Sequence, residues 1–300
     1  GGMGAIHILS APNGKSFIGK ESKPGVGQEF LSHEYEALKR IYSSARKVPE
    51  NIVPVCGIAD IAFPTGPKRL LIMEKIDGPD GVSLMCNPTI QRLPEADKLT
   101  LIRYIIHSLL KVANHAKCAG VVHNDIKPDN FMFDRNGILK VIDWGGWGPA
   151  GGAAWAGTRG YEAPESRRRH IETVIVPRVV SEPRSVWEAV TVKKKGFLGF
   201  SRKRTTYRYR SYMHTEVRNF QEQHVVGPCA DEKSDVFSIG VVLRELMDEL
   251  QVKSPLGEAL YRGMTVLDRK NRLDINGALN KQFLGSVNVR KATTIVKKAF

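Results

Sequence analysis

The chain has 300 residues, 42% of them apolar and 25% charged. That is the make-up of an ordinary globular protein, with core enough for one large domain or two lobes. No run of 18 apolar residues occurs, so no membrane-spanning helix is expected, and no signal-peptide pattern is visible. The net charge of +14 is uneven. Residues 167–219 carry 14 Lys and Arg against 4 Asp and Glu, so ten of the positive charges fall there. Cys56, Cys86, Cys118 and Cys229 lack metal-type spacing, which makes reduced thiols in a cytosol-like compartment the default reading.

The predicted elements run as follows. A glycine cluster, Gly1-Gly2-Met3-Gly4, leads into an apolar run from Ile6 to Leu9. Asn13-Gly14 makes a turn before Ser16–Lys20. Gln28 to Tyr42 reads as a helix, because Leu31, Glu34, Leu38 and Ile41 recur on one stripe. Glu34 therefore lies on the buried face, and Glu36 is turned about 200° away. A carboxylate on a buried face needs a cation; the alternative is a Glu at the stripe's edge reaching water. Asn51–Val55 and Arg69–Glu74 read as strands. Pro94 to Cys118 reads as a long helix, apolar over a broad face through Leu101, Ile105, Ile106, Leu109 and Val112.

The densest chemistry lies in His123 to Gly145. Two apolar runs, Phe131–Phe133 and Ile138–Ile142, flank Asn136-Gly137, the pair favoured in a type I′ hairpin turn. A hairpin centred on that pair sets Asn130 opposite Asp143, with Asp125 one short loop upstream. An amide and a carboxylate side by side suit Mg²⁺. A further carboxylate nearby can orient a hydroxyl for attack on a phosphoryl group.

These residues carry a resemblance. His123-Asn124-Asp125-Ile126-Lys127 with Asn130 resembles the catalytic loop of the eukaryotic-type protein kinase superfamily. Asp143-Trp144-Gly145 resembles its metal-binding Asp-Phe-Gly element, with Trp for Phe. Phe17-Ile18-Gly19-Lys20 stands where these kinases carry Val-Ala-Ile-Lys. Gly157 to Glu165 resembles the substrate-docking segment that ends in Ala-Pro-Glu. Ser234 to Gly240 resembles the start of the central helix, and Asp268 to Arg272 the partner of the Ala-Pro-Glu glutamate. The set spans nearly the whole chain. Ile142-Asp143-Trp144 is also similar to small-molecule kinases of the aminoglycoside and choline type, but those lack the Ala-Pro-Glu segment and its Arg.

The resemblance implies an α+β, bilobal kinase fold. A small β-rich lobe would cover residues 1–75 and a larger helical lobe 76–300, with a long insertion at 166–230 after the Ala-Pro-Glu segment. It implies ATP with Mg²⁺ or Mn²⁺ as cofactors and a protein substrate. Asp125 would take or orient the substrate hydroxyl, Lys127 would neutralise the transferring phosphate, and Asn130 and Asp143 would hold the metal. Lys20 would contact the phosphates and pair with Glu34. Gly1, Gly4, Ile6, Ile18, Met73, Glu74 and Ile76 would complete the ATP site. Thr158, Gly160 and Tyr161 would dock substrate. His123, Trp144, Glu165, Asp235 and Arg272 would be structural, with Arg272 pairing Glu165 and Asp235 tying down the catalytic loop. Lys127 and the Gly-Thr before the docking segment resemble the Ser/Thr type.

Four departures stand out. The first strand and part of the glycine-rich loop are missing from this sequence or lie upstream of it. Ile18 replaces the small Ala over adenine and narrows the pocket. A helix between Asp235 and Arg272 that often docks substrates is missing. Asn124 replaces the Arg that usually receives an activation-segment phosphate, and from Trp144 to Glu165 only Thr158 and Tyr161 carry hydroxyls. The last departure predicts an enzyme independent of phosphorylation there. The rival is a pseudokinase scaffold with weak nucleotide binding or none.

Within the insertion, Val186–Val192 and Thr205–Tyr212 alternate as strands of a hairpin. They flank Lys193 to Arg204, an apolar tip (Phe197, Leu198, Phe200) on basic shoulders. The tip reads as a solvated loop, as a peripheral contact with an anionic membrane, or as a contact with nucleic acid or an acidic protein.

Overall fold

The computed structural model describes all residues except 1–3, 12–13, 23–28, 154–156, 167–169, 196–200 and 227–228. It divides into two compact units, residues 1–169 with 227–300, and residues 170–226.

The first unit opens with a small antiparallel sheet in the order β1-β2-β4-β3. Its strands are β1 (Gly4–Ser10), β2 (Ser16–Ser22), β3 (Val55–Phe63) and β4 (Gly66–Glu74). Helix α1 (Glu29–Ser44) crosses over between β2 and β3 and buries Leu31, Glu34, Ala37, Leu38 and Ile41, the stripe its periodicity predicts. The expected strand at Asn51–Val55 is corrected. β3 begins only at Val55, and Ile52 makes an isolated parallel bridge to Val141. Pro54 lacks the N–H a ladder needs there, so its carbonyl accepts from Glu74 instead.

A helical region follows. Short helices α2 (Gly81–Met85) and α3 (Pro88–Gln91) lead into α4 (Glu95–Cys118). Pro94 stands at the N-cap of α4, Glu95 and Asp97 in its first turn, and His115 and Lys117 in its last, which complements the helix dipole. Next come β5 (Val121–Val122), β6 (Phe131–Phe133), β7 (Leu139–Val141), β8 (Gly148–Pro149) and β9 (Gly152–Ala153). After the second unit the chain continues with β12 (Cys229–Ala230), α5 (Glu232–Glu249), α6 (Pro255–Met264), α7 (Ile275–Leu279) and α8 (Val289–Val296). Asp231 and Ser234 form a capping box at the start of α5. Leu101, Ile105 and Leu109 of α4 and Val236, Ile239 and Leu243 of α5 are fully buried in one core.

The second unit is a single ribbon of β10 (His170–Lys195) and β11 (Ser201–Val226), paired antiparallel from His170↔Val226 to Lys195↔Ser201. The strands run well past the predicted 186–192 and 205–212. The predicted apolar tip at 197–200 lies outside the described residues.

Candidate active site

The site is assembled where β6 and β7 meet α1 and the start of α5. The β6–β7 register pairs Phe131 with Val141 and Phe133 with Leu139. Asn130 therefore faces Ile142, whose N–H it accepts at 2.9 Å. The expected type I′ turn, with Asn130 opposite Asp143, is corrected by one residue. Asp134 is the cause: its Oδ1 accepts the N–H groups of Asn136 and Ile138 at 2.8 and 2.9 Å. This holds a three-residue loop in which Gly137 alone, at φ +77°, is left-handed. A Cβ on Gly137 would lie 2.5 Å from the carbonyl oxygen of Thr293. Tyr104 of α4 braces the loop, donating to the Gly137 carbonyl at 3.2 Å and accepting the Leu139 N–H at 3.0 Å.

Lys20 lies at the centre. Its Nζ donates to Glu34 Oε2 at 2.6 Å and to Asp143 Oδ1 at 2.7 Å. Burial opposes its charge, but the two carboxylates outweigh burial and hold the ammonium above its ordinary range. Asp143 is affected in the opposite sense. Burial would raise its carboxyl, but Lys20 overrides this and keeps it below the ordinary carboxylate range. Glu34 is fully buried, and burial pushes its carboxyl up, so its ionisation depends on Lys20. Asp143 itself has φ +56°, an uncommon backbone for a non-glycine residue and one that clusters at functional sites.

The catalytic-loop residues form a second cluster. Asn130 donates its amide to the carbonyl and to Oδ2 of Asp125, at 2.8 and 2.9 Å. Its side-chain carbonyl oxygen and the Asp143 carboxylate are both hard oxygen donors, the ligand chemistry Mg²⁺ prefers. Thr158 Oγ1 donates to Asp125 Oδ1 at 2.6 Å and accepts from Lys127 Nζ at 2.6 Å. Thr158, expected among the substrate-docking residues, thus sits on Asp125 itself. Gly160 follows at φ +106°, and Tyr161 donates to Glu245 Oε2 at 2.6 Å. Burial, then this carboxylate, hold the Tyr161 phenol well above its ordinary 10.0.

The surrounding residues fix these clusters in place. Asp235, wholly buried, accepts the N–H groups of His123 and Asn124 at 2.9 Å each. Arg272 grips Glu165 with two nitrogens at 2.5 and 3.0 Å. Trp144 is fully buried against the His123 ring, 4.5 Å between centroids, and its backbone N–H donates to Glu34 Oε1 at 3.2 Å. Asn124, only 6% exposed, turns inward and donates to the carbonyls of Val122 and Gly146.

Beside Lys20 opens a cavity of about 390 Å³, within the usual size of a small-molecule site. Ile6, Ile18, Met73, Glu74 and Ile76 line it as expected. Gly4 begins β1 opposite Ser22, and Gly1 lies outside the described residues. Ile8, Val53, Met132 and Ile142 also line the cavity and were not foreseen. Ile8 was legible, since it shares a strand face with Ile6. Ile6 and Ile8 are 56% and 69% exposed, leaving an apolar wall uncovered.

Residues 26–173 match the family model of the protein kinase domain. This chain carries a protein kinase domain of the eukaryotic type. It is 33% identical over 174 residues to protein kinase YpkA of Yersinia pseudotuberculosis, a match covering 55% of this chain and 23% of that protein. It is 25% identical over 177 residues to the serine/threonine-protein kinase WARTS homolog of Caenorhabditis elegans, covering 59% of this chain and 17% of that one. The probable serine/threonine-protein kinase FMP48 of Saccharomyces cerevisiae is 28% identical over 140 residues, covering 45% and 36%. The kinase domain thus spans only a minor share of the relatives it matches.

Proposed function

We propose that this kinase domain transfers the γ-phosphate of ATP, with Mg²⁺ or Mn²⁺, to a serine or threonine hydroxyl of a protein. We further propose that it does so without a phosphate on residues 144–165. The observation that carries the reading is the completed Lys20–Glu34–Asp143 triad beside an open apolar cavity. In a scaffold with no nucleotide, a buried Lys shared by two carboxylates would be a costly ornament.

The roles follow from chemistry. The apolar walls from Ile6, Ile18, Met73 and Ile76 take a purine face, with backbone groups near Glu74 and Ile76 at its edge. Lys20 sets a fixed charge against the phosphates. Asn130 and Asp143 would hold the divalent cation, which would supply charge neutralisation on the phosphate oxygens. Asp125, oriented by Asn130 and Thr158, accepts the proton of the attacking hydroxyl, and Lys127 stabilises the charge on the moving phosphoryl group. Lys127 linked through Thr158 to Asp125 supports the Ser/Thr class. Asn124, uncharged and turned inward onto two carbonyls, offers no charge to receive a phosphate, which supports the phosphorylation-independent reading. The lobe division near residue 75 belongs to the same proposal.

The test is transfer from γ-labelled ATP to a generic basic protein, wild type against Asp125→Ala. Labelling by the wild type that the variant lacks is expected; equal labelling defeats the enzyme reading in favour of a scaffold. Phosphatase treatment should leave activity intact, and a loss traced to Thr158 or Tyr161 would refute phosphorylation independence.

A further inference from the structure

Glu34 reaches Lys20 only if α1 stays docked, and α1 is held at its outer face by a residue the catalytic motifs do not include. Trp147, 4% exposed, donates its indole N–H to the His33 carbonyl at 2.7 Å. The His33 ring returns the contact through Nε2 to the Trp147 carbonyl at 3.0 Å. The two rings stack with centroids 4.8 Å apart and 21° between planes. The Arg40 guanidinium lies 5.1 Å from the Trp147 ring centre. His33 and Arg40 are seven residues apart, so they share a stripe of α1, and Glu34 is the next residue after His33.

The same short segment touches α1 twice more. The Trp144 backbone N–H reaches Glu34, and Gly145 sits so close to Phe30 that a Cβ there would be 3.0 Å from its ring. Asn124 ties this segment to the catalytic loop through the Gly146 carbonyl. The turn from Trp144 to Trp147 is therefore one piece bonded to α1 on one side and to the catalytic loop on the other.

We infer that Trp147 is the positioning residue of this kinase: it clasps α1 so that Glu34 stays on Lys20. This rests on the proposed kinase activity, deepens it, and gives phosphorylation independence a structural cause. The hydrogen bonds and stacked rings of the clasp come from side chains the chain already carries, whereas a phosphate-based latch must be written and erased.

The experiment has three arms. Trp147→Ala should lower kcat about 10²-fold, the scale of a misplaced catalytic group, while the equilibrium Kd for ATP changes less than about threefold. Trp147→Phe keeps a ring but loses the N–H donor, and should fall between, near tenfold. In a Glu34→Gln background the effect of Trp147→Ala should shrink below about threefold, because it acts through Glu34. Hydrogen exchange should quicken across α1 in Trp147→Ala and stay slow in α4 and α5. Wild-type turnover in Trp147→Ala, or a loss undiminished by Glu34→Gln, overturns the inference. If Trp147→Ala fails to fold, Trp147→Phe and His33→Leu decide on the same criteria. A wild type that transfers no phosphate defeats the kinase reading alone, since the exchange arm still shows whether Trp147 holds α1.

Discussion

Residues 170–226 and the rest of the chain hold their strands together by different means. In the kinase unit the strands around the site pack on a core. β6 and β7 bury Phe131, Phe133, Leu139 and Val141 against the helical core, and β4 buries Leu70 and Leu71. In the ribbon, Val179, Val217 and Met213 are 70%, 66% and 61% exposed. Its described side chains interact across the strands instead: Arg218 holds Glu182 by two bonds at 2.5 and 2.8 Å, and Ser181 meets Thr215 at 3.0 Å. Exposed pairs of this kind contribute about 0.2–1 kcal/mol each, and an isolated two-stranded ribbon is marginal in water. Burial thus fixes geometry to the precision a reaction needs. The ribbon, at about 3.3 Å per residue, extends some 85 Å of backbone, which suits reach and contact better than chemistry.

The largest effects should come from the buried clusters. Asp125→Ala should reduce phosphate transfer about 10²–10⁴-fold with little change in the melting temperature; a residual rate near wild type would move the catalytic role elsewhere. Arg272→Ala should act on stability instead. The Arg272 side chain is fully buried on Glu165, so its removal strands a carboxylate and should cost about 3–5 kcal/mol by urea denaturation. This pair also carries a pH signature. Burial would raise the Glu165 carboxyl, but the bonds and charge of Arg272 outweigh it and hold it below its ordinary value of 4.5. A lowered carboxylate adds stability that is present above pH 4.5 and fades as pH falls through the lowered value. Wild type should therefore lose stability more steeply than Arg272→Ala as pH falls below 4.5, and parallel curves would reject the assignment. Gly137→Ala forces both a positive φ and a backbone clash with Thr293, and should cost about 1–3 kcal/mol.

How legible each region was follows the same division. The kinase unit announced itself because short motifs encode its chemistry and periodicity encodes its burial. Lys20 meets Glu34, Arg272 meets Glu165 and Asp235 holds the catalytic loop, the pairings the sequence suggested. What it hid are contacts between segments that carry no pattern. Asp134 reshaped the hairpin turn by accepting two backbone N–H groups, which a preference for Asn-Gly does not reveal. Thr158 joined Asp125 through a fold in the chain 33 residues long. Trp147 looked like one more apolar residue in a glycine-rich stretch. In the ribbon, alternation marked only the middle of each strand. Pro177 and Pro183 lie within β10, where a proline normally argues against a strand. They are six residues apart, so they share one hydrogen-bonding parity, and a two-stranded ribbon has a free outer edge where a missing N–H breaks no ladder.

The smallest predicted effect is the one that tests the division itself. His170 and Val226 are paired, so the ribbon's two ends lie about 5 Å apart, the spacing of opposed strand residues. Replacing 170–226 by a short Gly-Ser linker should therefore leave the kinase unit's ends joined without strain. Unfolding free energy should shift by less than about 0.5 kcal/mol, and transfer to a generic basic protein should stay within about twofold. The deletion also removes 11 Lys and Arg against 5 Asp and Glu. Retention on anionic vesicles or on nucleic acid, if the ribbon is what binds them, should fall and grow less salt-dependent. A deletion that destabilises the kinase unit by several kcal/mol, or halts transfer to a generic substrate, would show that the ribbon belongs to the folding core after all.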